Sequence, residues 1–143
     1  MTALEQASQL IKNHEGFSNT AYRCPAGYLT IGFGRLCDPQ FKDSGLTRAE
    51  GEYLLANDLT KTDKELNKNF PWYEHLDANR KAALIDLAYN IGITKLLDFK
   101  KTLAFLAEKK YPEAAAELLK SKYADDVKGR ALTISNIIKT GNL

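Results

Sequence analysis

Glu15, Cys24 and Thr30 bring a carboxylic acid, a thiol and a hydroxyl into one short stretch, His14 to Arg35, which reads HEGFSNTAYRCPAGYLTIGFGR. Eight residues separate the acid from the thiol, and five separate the thiol from the hydroxyl. Such a set suits bond cleavage by proton donation. The acid protonates the leaving atom, and a base, a nucleophile or an oriented water takes the other side. Four of the nine glycines (Gly16, Gly27, Gly32 and Gly34) fall in the same stretch, with Pro25 and the aromatics Phe17, Tyr22, Tyr28 and Phe33. Backbone turned this tightly around reactive groups marks the candidate site. Taken singly the residues have plainer readings: Glu15 as a solvated surface acid, Thr30 as a β-prone residue, Cys24 as a small buried hydrophobe.

The elements that must position these groups follow from the pattern around them. Thr2 with Glu5 forms a capping box, and Leu4, Ala7, Leu10 and Ile11 recur at helical spacing, which predicts a helix from Thr2 to His14 stopped by Gly16. Glu15 then sits at the negative end of that helix, where its anion is disfavoured and a proton donor is favoured. Thr20 to Arg35 reads as a β-hairpin about a turn with Pro25 second and Gly27 fourth. In its second strand Thr30 alternates with Leu29 and Ile31, so if those two enter a small core, Thr30 faces a groove. Leu36 to Leu46 reads as a loop. A second capping box, Thr47 with Glu50, opens a long helix to about Lys68 whose second half is polar nearly all round, as in a helix bridging two lobes. Further helices are expected over Leu76–Ile91, Phe99–Lys109, Pro112–Tyr123 and Lys128–Lys139, the first of them the buried centre, with Ala83, Leu84, Leu87, Ala88 and Ile91 on its apolar stripe and Ile85 and Tyr89 widening it. The expected fold is α+β and mainly helical. It is one domain over 1–143, with a small lobe over about 15–60 and a helical lobe over about 70–143 that takes in the helix 1–14.

A chain of 143 residues, 44% hydrophobic and 27% charged, has the composition of an ordinary globular domain large enough to bury a core. The net charge is +2, but from Lys95 onward ten basic residues face six acidic ones, a flank that suits an anionic partner or is simply a solvated helical surface. Cys24 and Cys37 make no disulfide framework, and the two histidines and two cysteines have no metal-ligand spacing, so neither metal nor cofactor is expected. The first residues show neither signal peptide nor membrane anchor, and no nucleic-acid motif accompanies the low net charge.

The Glu15–Cys24–Thr30 spacing, inside HEG…AYRCPAGYLTIGFGR, resembles the catalytic segment of the phage-type lysozymes, the endolysins of glycoside hydrolase family 24. The likeness continues through Leu84–Gly92 (LIDLAYNIG), the Pro112-Glu113-Ala114-Ala115 helix start, Gly129-Arg130-Ala131 and Lys139-Thr140-Gly141, and so covers essentially the whole chain. It implies a muramidase that hydrolyses the β-1,4 bond between N-acetylmuramic acid and N-acetylglucosamine in peptidoglycan, the glycan lying between the lobes. By that match Glu15 is the general acid, Cys24 stands where members carry Asp or Cys, and the Thr30 hydroxyl helps hold the attacking water. Leu36, Tyr89 and Thr102 match cleft-lining positions. Arg130 matches a basic residue that approaches the acid from the helical lobe, where it would favour the Glu15 anion against the helix end. Plain packing for Tyr89 and a surface role for Arg130 remain alternatives. A protein of this kind, a monomer without a leader, would be made in the host cytoplasm and released by a separate membrane-permeabilising protein.

The thiol leaves the mechanism open. Most glycosidases use two carboxylates, whereas a free thiol titrates near ~8.5. Cys24 aligns the water with Thr30, acts as a thiolate base, or attacks the sugar directly, in that order of preference. Two further readings stand beside hydrolysis. A lytic transglycosylase needs only one acid and leaves a 1,6-anhydro end. A wall-binding module without activity would use the basic flank with Tyr22, Tyr28 and Trp72.

Overall fold

The computed structural model describes residues 2–143. The chain divides into two compact units, Met1–Gly51 and Glu52–Leu143. The class is α+β and mainly helical, as expected, with one small antiparallel sheet near the start.

In the first unit, α1 (Ala3–Glu15) begins at the Thr2 capping box. The Glu5 N–H donates to Thr2 Oγ1 at 3.2 Å and the Thr2 N–H to Glu5 Oε2 at 2.8 Å. Its end closes where the Gly16 N–H reaches the Lys12 carbonyl. The sheet follows in the order β1 (Ser18–Arg23), β2 (Leu29–Gly32), β3 (Arg35–Leu36), so the expected hairpin has a third, short strand on its far side. Leu36, read from sequence as the start of a loop, therefore lies in a strand. Its two-residue ladder is too short to leave a periodic signal. The turn between β1 and β2 forms as read, the Gly27 N–H donating to the Cys24 carbonyl at 2.7 Å. The face assignment is reversed. Thr30 is 2% exposed, while Leu29 and Ile31 are only half-buried. Thr30 sits on the central strand with Tyr22 and Leu36 as its neighbours on either side, and such flanking side chains cover a small residue from both edges. Arg35 ties β3 to the next helix by a forked pair with Glu50, at 2.8 and 3.0 Å, and by a bond to the Gly45 carbonyl at 3.1 Å.

The helix α2 (Arg48–Asn69) starts at the second capping box, Thr47 with Glu50. In the second unit a short 3-10 turn (Tyr73–His75) leads to α3 (Ala78–Ile91), α4 (Ile93–Leu96), α5 (Lys100–Ala107), α6 (Tyr111–Leu119), α7 (Lys122–Asp126) and α8 (Lys128–Thr140). The helix read over Pro112–Tyr123 ends at Leu119, and Ser121 caps the separate short helix α7; α4 lies outside the sequence reading, since pieces this short do not let a helical period repeat. Leu84, Leu87, Leu106, Leu118, Ile134 and Ile138 form a fully buried centre to which α3, α5, α6 and α8 contribute. Arg80 locks α3 to the end of α8. It donates to the Ile138 carbonyl at 2.7 Å and the Lys139 carbonyl at 3.2 Å, pairs with Asp77 at 2.9 Å, and stacks on the Tyr111 ring.

One buried group in this core has no partner among the described residues, the Tyr123 hydroxyl. Burial, with the nearby Asp86 carboxylate adding to it and Arg130 opposing, holds that phenol above its ordinary value. An unsatisfied buried hydroxyl costs about 1–3 kcal/mol. Tyr123→Phe is therefore expected to stabilise the fold by about 1 kcal/mol and to raise Tm by roughly 3 °C in calorimetry. A lowered Tm would mean the hydroxyl is satisfied in solution.

Candidate active site

The site in the first unit is built from the turn outward. Arg23 pairs with Leu29 across β1 and β2, and Tyr22 with Thr30. Cys24 follows Arg23, and its side chain therefore takes the face of Tyr22 and Thr30. There the sulfur meets the backbone N–H groups of the turn. Hydrogen bonding from the Tyr28 N–H holds the thiol below its ordinary value. Partial burial works against this, and the Ala26 N–H, the Thr30 hydroxyl and the Gly27 N–H add to the lowering. The Tyr28 ring meets Phe41 edge-on at 5.0 Å, which steadies the residue that contributes most.

Thr30 connects this cradle to the strand. Its hydroxyl donates to the Tyr28 carbonyl at 2.8 Å. A hydroxyl has one proton, so it serves either that carbonyl or the sulfur. With Cys24 neutral, the S–H can donate to Thr30 Oγ1. With Cys24 ionised, the Thr30 hydroxyl turns to donate to the thiolate. Thr30 is almost wholly enclosed.

Cys37 takes no part in this cradle. Its N–H donates to the Leu29 carbonyl at 2.9 Å, which continues the Arg23–Leu29 row and puts its side chain on the face opposite Cys24. Both thiols are free. Leu36 stands opposite Thr30 on β3, on the thiol's face, and is 37% exposed.

Glu15 ends α1 with its side chain exposed. Its carboxyl group lies directly on Gly34, in the turn between β2 and β3: a Cβ built on that glycine would stand 2.7 Å from Glu15 Cδ and 2.8 Å from Oε2. The first unit thus brings together Cys24, Thr30 and Leu36 about one strand, and Glu15 with the turn that follows β2. Gly34 was visible in the sequence only as a turn residue, because a close approach between backbone and side chain leaves no trace in residue spacing.

The second unit holds the other three predicted positions on separate helices. Tyr89, on α3, is 48% exposed, which excludes plain core packing. Thr102, on α5, is buried to 3% and lines a hollow of about 440 Å³ with Asp98, Lys101, Glu117 and Ser121. Arg130, on α8, donates from Nε to Asp86 Oδ1 at 2.6 Å. Sequence reasoning missed Asp86. Its signal was an acid on α3 between the apolar positions Ala83 and Leu87, with an arginine matched to the site elsewhere in the chain.

A family model described as phage lysozyme matches residues 12–135, a span that takes in Glu15, Cys24, Thr30, Leu36, Tyr89, Thr102 and Arg130. The chain belongs to the phage lysozyme family. Among its relatives is "Probable T4-type lysozyme 1" of Dictyostelium discoideum, 28% identical over 94% of each chain. Another is "Endolysin" of Acyrthosiphon pisum secondary endosymbiont phage 1, 30% identical over 94% of this chain and 89% of that protein. A third match, "Pre-baseplate central spike protein Gp5" of Enterobacteria phage T4, is 24% identical, and there the aligned region is only 28% of the longer protein. This lysozyme is a glycoside hydrolase that degrades peptidoglycan. No helix among its described residues is long and apolar enough to cross a membrane.

Proposed function

We propose that this lysozyme hydrolyses the β-1,4 bond between N-acetylmuramic acid and N-acetylglucosamine. Glu15 protonates the glycosidic oxygen, and the Cys24 thiolate removes a proton from a water that attacks the anomeric carbon. Thr30 holds the thiolate from beneath. We assign Leu36, Tyr89, Thr102 and Arg130 to glycan binding. The observation that carries the reading is the match to phage lysozymes across residues 12–135, which includes the acid, the thiol and the whole turn between them. The lowered thiol value favours a base over a merely aligning group, since a larger share of the sulfur is ionised at neutral pH. In the cell we assign it to host lysis at the end of a phage cycle, acting as a monomer from the cytoplasm after a separate protein has opened the membrane.

A proton NMR time course on a defined glycan, with mass analysis of the fragments, tests both bond and route. Water attack opposite the leaving group inverts the centre, so the first product is expected as the α-anomer with N-acetylmuramic acid at its reducing end. A β-anomer would replace the base by direct sulfur attack. Fragments carrying only 1,6-anhydro ends would overturn hydrolysis in favour of a lytic transglycosylase.

A further inference from the structure

We propose that Gly34 is a positioning residue for the proton donor, a bare seat on which the Glu15 carboxyl group rests; this builds on the reading of Glu15 as the general acid. The contact is unusually close on one side only. A Cβ at position 34 would meet Glu15 Cδ at 2.7 Å, Oε2 at 2.8 Å and Cγ at 2.9 Å, well inside the roughly 3.5–4.0 Å at which such atoms pack. The carboxyl therefore stands where any residue but glycine would put an atom.

Both partners in the contact are tied down elsewhere. The end of α1 is fastened to the turn by aromatic contacts. Phe17, two residues after Glu15, meets the Phe33 ring at 5.1 Å, and Lys12 lies over that same ring at 5.7 Å. The turn is fastened from its other side by Arg35, next to Gly34, through Glu50 and the Gly45 carbonyl. No hydrogen bond or ion pair holds the Glu15 carboxylate among the described residues, so the glycine surface is what limits where it stands. When a methyl group arrives at position 34, the easiest movement is for the exposed Glu15 side chain to swing off its seat. The fold then absorbs the change cheaply, and the displacement falls on the proton donor. Misplacing a reacting group by about 1 Å can cost around 10²-fold in rate.

Backbone strain is a separate effect, and Gly32, the last residue of β2, supplies its control. Gly34 has φ +76° and Gly32 has φ +69°, both in the left-handed region that L side chains rarely adopt. A Cβ at Gly32, however, meets nothing within 4 Å. The two positions share the strain and differ in the contact. Gly34→Ala and Gly32→Ala are thus expected to lose similar amounts of Tm. Only Gly34→Ala should also lose kcat, by about 10²-fold, with KM on a soluble glycan within about twofold of wild type. Asparagine tolerates the left-handed region and carries the same Cβ, so Gly34→Asn repeats the test if the alanine variant does not fold. Combining Gly34→Ala with Glu15→Gln should cost nothing beyond Glu15→Gln alone, because the seat acts only through the carboxyl group. If Glu15→Gln is inactive but Gly34→Ala and Gly34→Asn turn over like the Gly32 variants, the seat is overturned and the general acid stands. If Glu15→Gln keeps full activity, the general acid itself is overturned.

Discussion

Glu15→Gln is expected to lower kcat by about 10²–10⁴-fold while peptidoglycan binding stays intact. Glutamine keeps the shape of the side chain and its place on Gly34 but has no proton of carboxylic acidity to give. The variant should fold at least as well as wild type. The residue is exposed at the last position of α1. The exposed side chain makes no hydrogen bond or ion pair among the described residues, so loss of activity should come with an unchanged Tm. The measurement is release of reducing ends from purified peptidoglycan, beside sedimentation of the protein with the same material. Equal turnover by both proteins would take Glu15 out of the reaction. Loss of sedimentation together with turnover would make it a binding residue.

The elements that carry this site were readable in sequence because each has a strong local signal. The capping boxes at Thr2 and Thr47 predicted the starts of α1 and α2, and the proline–glycine turn after Cys24 predicted where β1 reverses. What could not be read depends on contacts between segments distant in sequence. Thr30 was expected to look out from the sheet because Leu29 and Ile31 are the apolar pair. It is buried instead on the central strand, between Tyr22 and Leu36, and Leu36 stands beside it only because a third strand forms. The same limit hid the Glu15–Gly34 contact and the Asp86–Arg130 pair, the latter bridging 44 residues of sequence. Alternation fixes which way a side chain points, but not what meets it there.

In the Cys24 series the largest loss is expected from Cys24→Ala, about 10²–10⁴-fold in kcat, and the decisive result from Cys24→Asp. If the thiolate is the base, activity rises as pH climbs through the Cys24 value, which the Tyr28 N–H and its neighbours hold below the ordinary thiol value of roughly 8.5. Aspartate in its place should keep turnover and move that rising limb down to the carboxylate range, near pH ~4. Thr30→Val removes one stabilising bond to the thiolate and should move the limb the other way, to higher pH. The Tyr28 carbonyl keeps the Cys24 N–H as a donor at 2.9 Å in that variant, so the fold should lose little, and Thr30→Ser retains a hydroxyl that can turn to either partner. The thiol can be followed directly by its ultraviolet thiolate absorbance in a Cys37→Ser background. The same ionisation is linked to stability. A group whose folded value lies below its unfolded one stabilises the fold fully above the unfolded value, and that contribution is lost as pH falls through the folded value. Wild type should therefore lose a small increment of Tm on going from mildly alkaline to neutral and lower pH, and Cys24→Ala should not show that step. A thiol titration that Thr30→Val leaves unmoved would remove Thr30 from the cradle. Full turnover by Cys24→Ala would remove the thiol from the reaction and leave Glu15 to act on a water that no side chain activates.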